Sequence, residues 1–289
     1  EKTSKTQPFP TRPAPYARQE VKVEDLTDFT PELNAKALEV IKKFKNGPLF
    51  TPVALSKVDG PIKTMSINNG SGGTNWTGGA YDPETHTVFV PAINSGVVTR
   101  GLVEPPPGYS DVRYLEGAAG QPFIVMAGPG AGAGSDASGM TEDEARLAAI
   151  IAKAGAVKPT APLPRGNVDG LPLVKPPYGT ITAINMDTGD FRWQVPHGDT
   201  PDEIRNHPAL KGLTIPKTGQ AGNVGLLVTK SLVISGDPMV STAPGRPRGA
   251  MLHAYDKMTG KEVGAIWMPA AQSGSAMTYA YQGQQELIV

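Results

Sequence analysis

The chain has 289 residues, 27 basic against 27 acidic side chains and 39% hydrophobic content, a globular profile with no electrostatic reason to expect nucleic acid or an anionic membrane as partner. It has no cysteine, which excludes disulfides, thiolate metal sites and cysteine nucleophiles but leaves the compartment open. No apolar run approaches the roughly 18 residues of a membrane-spanning helix, and 34 glycines with 29 prolines suit many tight turns and long connections.

Along the chain, residues 1–60 read as an extended linking segment with one helix. The arm of residues 1–30 is Pro-rich. Thr30-Pro31 then opens the helix, with Leu33, Ala37, Ile41 and Phe44 at helical spacing and Gly47-Pro48 as its stop. Residues 61–289 carry the strand pattern, interrupted by a Gly/Ala/Pro-rich insertion at about 101–177. Inside that insertion, Thr141 and Glu144 form a capping box that opens a helix to about Ala154, with Gly155 as the stop. From Tyr178 the strands resume. Thr200-Pro201-Asp202-Glu203 starts a short helix broken near Pro208, and Val224 to Ile234 reads as a hairpin turning at Thr229-Lys230-Ser231.

A seven-residue pattern of Ala, any residue, Asp or Asn, two residues, Thr and a turn residue occurs three times, beginning at Ala80, Ala183 and Ala254. Each copy lies between β-forming stretches and reads as a hairpin turn. The Asp or Asn bonds backbone amides two residues on, and the final Gly takes the left-handed conformation. His86 replaces that Gly in the first copy, so its turn either differs or carries strain. Such repeats mark the blades of a β-propeller. The second and third copies are 71 residues apart, longer than a bare blade of ~40–50, so insertions must fill the difference. Three blade hairpins fall short of the roughly four to eight blades of a closed ring. With Glu1 at one end and the apolar run Leu287-Ile288-Val289 at the other, the expectation is a C-terminal fragment of a longer protein.

Directly before the first copy stands Gly72-Gly73-Thr74-Asn75-Trp76. Together with Gln7-Pro8-Phe9-Pro10-Thr11-Arg12-Pro13, Asp28-Phe29-Thr30-Pro31-Glu32-Leu33, His197-Gly198-Asp199-Thr200-Pro201 and Asn206-His207-Pro208-Ala209-Leu210, it resembles the pyrroloquinoline-quinone (PQQ) dependent dehydrogenases. The resemblance is closest to the membrane-type glucose dehydrogenase branch and runs nearly end to end.

The resemblance implies an all-β fold, part of an eight-bladed β-propeller of four-stranded antiparallel blades with a few short helices in insertions. It implies PQQ and Ca²⁺ as cofactors, oxidation of a sugar or alcohol, and ubiquinone or a cytochrome as electron acceptor. It implies a periplasmic setting, with any membrane anchor in a preceding part. The remaining blades of the same propeller would be this chain's partners. Asn75 is the residue carried over to the cofactor site, its amide donating to a quinone carbonyl or carboxylate, and Trp76 shapes the same pocket. The competing reading makes Trp76 blade core and Asn75 a turn cap. In the family the catalytic Asp and the Ca²⁺ ligands precede the segment present here, so no catalytic residue and no metal ligand is expected within this chain, which alone would be inactive. Trp193 corresponds to the family's blade-docking tryptophan. In the third copy Gly264 stands in that position and Trp267 follows three residues later.

Other signals are weaker. Gly128-Pro129-Gly130-Ala131-Gly132 imitates a dinucleotide loop, but the expected helix starts too late to put its dipole on a pyrophosphate. His86, His197, His207 and His253 lack metal-ligand spacing, and His197 or His207 is expected in loop packing rather than at a cofactor mouth. Asp82, Asn185 and Asp256 read as turn residues, not Ca²⁺ ligands. The rival function is a non-catalytic propeller serving as a protein-interaction scaffold, which has no need of the Asn-Trp signature.

Overall fold

The computed structural model describes residue 6 and residues 10–68, 72–121, 142–153 and 166–289. Helix α1 (Pro31–Ile41) opens on Thr30, whose hydroxyl accepts the Leu33 amide, and buries Leu33, Ala37 and Ile41. Phe44 keeps its place in the same core but leaves the helix: β1 (Phe44–Lys45) pairs in parallel with β3 (Lys63–Ile67). The helix therefore ends before Gly47-Pro48, because sheet pairing claims the residues between.

The other strands follow in chain order: β2 (Ala54–Leu55), β4 (Ala80–Asp82), β5 (Thr87–Ile93), β6 (Val97–Val103) and β7 (Leu115–Glu116). After helix α2 (Glu142–Lys153) come β8 (Asn167–Val168), β9 (Leu171–Pro172), β10 (Gly179–Asn185) and β11 (Phe191–Pro196). Helix α3 (Asp202–Arg205) precedes β12 (Leu227–Val228), β13 (Leu232–Gly236), β14 (Ala250–Asp256), β15 (Glu262–Met268), β16 (Met277–Tyr281) and β17 (Gln284–Ile288). Thr141, Gly155 and the glycine loop at 128–132 lie outside the described residues.

Three larger sheets result. The first has the order β1-β3-β6-β2 with β7 also on β6, and it is mixed, since β1 and β2 run parallel to their neighbours. The second (β11-β10-β5-β4) and third (β12-β13-β14-β15) are four-stranded and wholly antiparallel, the expected form of a blade. β16 and β17 form a further hairpin. The all-β expectation holds, with the first sheet departing from the four-stranded antiparallel form. The linking segment is part of this body: Val21, Leu26 and the buried face of α1 share one core with Met65, Ile67, Leu171, Leu173 and Val174. The expected division near residue 60 thus runs through a core, and so does the end of the expected insertion.

The repeated turns need a correction. The second copy joins β10 to β11 and the third joins β14 to β15, at matching places in their sheets. The first joins β4 to β5, at the opposite side of the second sheet. Two copies therefore belong to one blade, because the pattern encodes a turn rather than a position in a blade. Asp82 accepts the Glu84 amide (3.3 Å), Asn185 the Asp187 amide (2.9 Å), and Asp256 those of Met258 (3.1 Å) and Thr259 (2.9 Å). Gly189 and Gly260 sit at φ 74° and 71°, and His86 occupies the same left-handed region at 50°, a conformation that costs a side chain with a Cβ roughly 1–2 kcal/mol. The first two turns touch, since the His86 carbonyl accepts the Met186 amide (2.8 Å).

The second and third sheets share an apolar core that includes Phe89, Ile181, Val233 and Tyr255, and Lys257 adds two polar ties between them. Trp193, 9% exposed, donates its indole N–H to the Lys257 carbonyl (3.0 Å) and covers Gly260, where an added Cβ would stand 2.7 Å from the ring. The Lys257 ammonium turns back to the Asp82 carboxylate at 2.9 Å, with both side chains buried. Burial opposes the charge on Asp82, but hydrogen bonds from Thr85 and Lys257 hold its carboxyl below the usual range.

Candidate functional site

The signature segment runs beside the far end of β5. Ile93 donates its amide to the Gly73 carbonyl (2.7 Å), and Thr74 donates its hydroxyl to the Pro91 carbonyl (2.6 Å). Regular pairing begins only where Ala80 faces Phe89. Between these points residues 75–78 leave the line of the strand as a turn closed by Gly78 N–H on the Asn75 carbonyl (2.8 Å). Glycine is required on both flanks. A Cβ on Gly73 would stand 2.6 Å from the Ala17 Cβ, and one on Gly79 would stand 2.4 Å from the Phe89 carbonyl oxygen.

Asn75 and Trp76 come together on this turn. Asn75 Oδ1 accepts the Trp76 amide (2.7 Å), while its Nδ2 has no partner among the described residues. Asn75 Oδ1 thus serves its own turn, and Trp76, 85% exposed, lies outside the blade core. The buried hydroxyl of Thr77 lacks a hydrogen-bond partner. Beside the glycines opens a cleft of about 410 Å³, walled by Ala17, Gln19, Phe50, Ser66, Asn68 and Gly73. The turn offers an exposed aromatic face and, next to it, an unused amide donor. Such a set suits a flat ligand bearing carbonyl or carboxylate oxygens.

The histidines separate. His207 is half-buried, accepts the Ala209 amide (3.2 Å) and reaches the Asp169 carbonyl (2.9 Å). His197 lies in the loop after β11, as expected of loop packing, and is fully buried: its ring contacts the Gly236 carbonyl and the Tyr255 hydroxyl, both at 3.0 Å. Burial, helped by His253, pushes its pKa down to about 4. The neutral ring then donates from Nε2 to Gly236 and accepts from Tyr255. His253 lies between two carboxylates, Asp237 (3.0 Å) and Glu262 (3.2 Å), and Glu262 also pairs with Lys217. Burial alone would lower the His253 pKa, but hydrogen bonds to Asp237 and Glu262 outweigh it and raise it. Glu262 is held down to about 2 by the His253 hydrogen bond, against burial, and by Lys217. Asp237 also accepts the Asp199 and Met251 amides (3.2 and 2.9 Å), so its oxygens are committed to the fold. Nothing in the local sequence marked Asp237, Lys217 or Glu262 as members of such a group.

Among the described residues no group of three or more His, Asp or Glu side chains is arranged to hold a metal ion. Asp82, Asn185 and Asp256 serve their turns.

Residues 1–287 match the family model described as "PQQ: Glucose/ethanol/alcohol dehydrogenase, beta-propeller domain". The chain is 25% identical over 296 residues to the "Quinate/shikimate dehydrogenase (quinone)" of Acinetobacter baylyi, a match covering 100% of this chain and 31% of that protein. It is 26% identical over 234 residues to the "Probable quinate dehydrogenase (quinone)" of Xanthomonas campestris pv. juglandis, covering 78% and 24%. The crystal structure of quinohemoprotein alcohol dehydrogenase from Comamonas testosteroni aligns with 84% of this chain and 28% of its own, at 15% identity and a TM-score of 0.39. The chain thus spans less than a third of the length of the curated relatives it matches. With the family match running across nearly all of it, the chain belongs to the β-propeller family of PQQ-dependent glucose, ethanol and alcohol dehydrogenases.

Proposed function

We propose that this chain supplies blades and one cofactor contact to a PQQ-dependent dehydrogenase that oxidises a CH–OH group of a sugar or alcohol. The observation that carries the proposal is the exposed turn bearing Asn75 and Trp76. Asn75 Nδ2 would donate to a quinone carbonyl or carboxylate, and the open face of Trp76 would lie against the planar rings. PQQ, when bound, supplies the hydride acceptor. The chain's own part is to present a donor and an aromatic wall on a rigid glycine-flanked turn.

The described residues offer no carboxylate set for Ca²⁺. In this reading the Ca²⁺ ligands and the catalytic Asp lie in a preceding part of the protein, and the chain alone turns nothing over. Ubiquinone or a cytochrome takes the electrons, and the protein works in the periplasm, with any membrane anchor in that preceding part. Glucose is the first candidate substrate. The relatives named for quinate and shikimate add those two compounds.

The rival reading, an interaction scaffold, draws on exposed apolar side chains in two places: Val263 and Ile266 on β15, and Met277, Tyr279 and Tyr281 on the separate β16 hairpin. In the enzyme reading the remaining blades of the same propeller cover them. The test uses the full-length protein. Asn75→Ala is expected to weaken PQQ retention by at least about tenfold with an unchanged circular dichroism spectrum. Undiminished quinone affinity in that variant would remove Asn75 from the site. A dye-reduction assay of the holoenzyme on glucose, ethanol, quinate and shikimate then ranks the substrates, and a failure on all four alongside bound PQQ would favour the scaffold.

A further inference from the structure

The turn carrying Asn75 and Trp76 is held from two sides by groups remote from it in sequence. On one side Asn68, in the left-handed region at φ 53°, donates its amide to the Gly96 carbonyl (2.7 Å) and its side-chain N–H to the Ile93 carbonyl. Ile93 is the residue whose own amide holds Gly73. On the other side lies the arm. Ala17 sits so close over Gly73 that no side chain fits between them.

Arg18 fixes that part of the arm. Its amide donates to Asn94 Oδ1 (3.0 Å), and its guanidinium donates to the carbonyls of Asn94 (2.9 Å), Lys175 (2.8 Å) and Pro176 (3.4 Å). Asp25 stands 3.7 Å from Nε, and the side chain is only 16% exposed. Asn94 is likewise fully engaged, with its amide on the Tyr178 carbonyl (2.9 Å) and Nδ2 on the Thr180 hydroxyl (3.0 Å). A continuous line of bonds therefore leads from Arg18 through Asn94 and Ile93 to Gly73, two residues before Asn75.

We infer that Arg18 is a positioning residue for the Asn75 turn, and that the arm sets how firmly the turn is preorganised for PQQ. The inference rests on the assignment of Asn75 and Trp76 to the quinone site. Without the guanidinium, the Arg18 amide alone ties this part of the arm to Asn94, and Ala17 is held less firmly over Gly73. Residues 72–78 then keep their bonds to β5, and binding must first order them. Charge-assisted bonds to several carbonyls are the strong kind, and lysine, with a compact ammonium in place of a fork, reproduces only part of the set.

The experiment compares Arg18→Ala, Arg18→Lys and Asn75→Ala in the full-length protein. It measures PQQ affinity by titration and amide hydrogen exchange on the PQQ-free protein. For Arg18→Ala, PQQ binds about tenfold more weakly. Ile93 and Gly78 lose protection, while the amides of β13 and β14 keep theirs. Arg18→Lys falls between Arg18→Ala and the wild type. Unchanged PQQ affinity and unchanged protection in Arg18→Ala, with Asn75→Ala still losing PQQ, overturns the inference and spares the cofactor site. So does a loss of protection spread equally through β13 and β14, which makes Arg18 a general support of the fold. If Gly78 loses protection but neither Arg18→Ala nor Asn75→Ala alters PQQ binding, the cofactor assignment itself falls, and the link to PQQ falls with it.

Discussion

The second and third sheets follow one plan through three strands and part company at the fourth. In β11, Trp193 stands opposite Ala183; in β15, Gly264 stands opposite Ala254 at the same register. The indole of Trp193 spans to the next sheet, covering Gly260 and bonding Lys257. A Cβ on Gly264 would meet nothing within 4 Å, and its neighbours Val263 and Ile266 are exposed. The late tryptophan of that strand, Trp267, folds back onto its own sheet and donates to the Pro247 carbonyl (3.1 Å). Two four-stranded antiparallel sheets with the same turn between their last two strands thus present different outer faces. The backbone pattern builds a blade, and the Trp193 side chain adds a lock to its neighbour beside the Lys257–Asp82 pair.

Trp193→Ala tests the comparison most severely. It opens a cavity over Gly260 and is expected to cost about 3–5 kcal/mol in urea unfolding, whereas Gly264→Trp changes stability by less than about 0.5 kcal/mol. Equal effects at the two positions would break the comparison. Lys257→Met, which leaves Asp82 buried without its cation, should cost about 3 kcal/mol, and adding Asp82→Asn should recover much of it. Additive losses in that cycle would mean that the pair does not couple the sheets.

A pH titration of stability separates the buried histidines. The folded pKa of His197 lies near 4, below its unfolded value of about 6.5, so stability present above pH ~6.5 is lost as the pH falls towards 4, by up to about 3 kcal/mol. His253 is shifted the other way. Its contribution is complete below pH ~6.5 and is lost as the pH rises through its folded pKa. Glu262, held near 2, adds a loss below pH ~4.5. His197→Gln should flatten the limb between pH 6.5 and 4, and an unaltered limb would assign it to other groups. A smaller effect, of opposite sign, is expected at the first turn. His86→Gly relieves the left-handed side chain and should raise stability by about 1 kcal/mol, less whatever the exposed pairing with Asp187 contributes. No gain in melting temperature would mean that the turn is unstrained.

Much of this was legible in the sequence because it is local. Turns at Asp82, Asn185 and Asp256, the cap at Thr30 and the glycine-flanked Asn75 depend on residues a few positions apart. Trp193 was legible through the family resemblance, four residues after the turn glycine Gly189. Blade membership was not, since one heptad serves either side of a sheet. Nor were β1 and β2, whose two-residue parallel pairings have no sequence period. The group around His253 gathers Lys217, Asp237 and Glu262 from three separate segments, and its members acquire their properties only from burial.

The arm has a consequence for one face of the second sheet. Arg12 reaches the Thr188 carbonyl and Asp190, and the Gln194 amide, which also bonds the Thr182 hydroxyl across the strand pair (2.7 Å), donates to the Tyr16 carbonyl (3.0 Å), so residues 12–16 pass over the face of β10 and β11. These ties are made by side chains, and Pro13 and Pro15 have no N–H to offer a ladder. The arm therefore shields part of a blade face from solvent without adding a strand to the sheet.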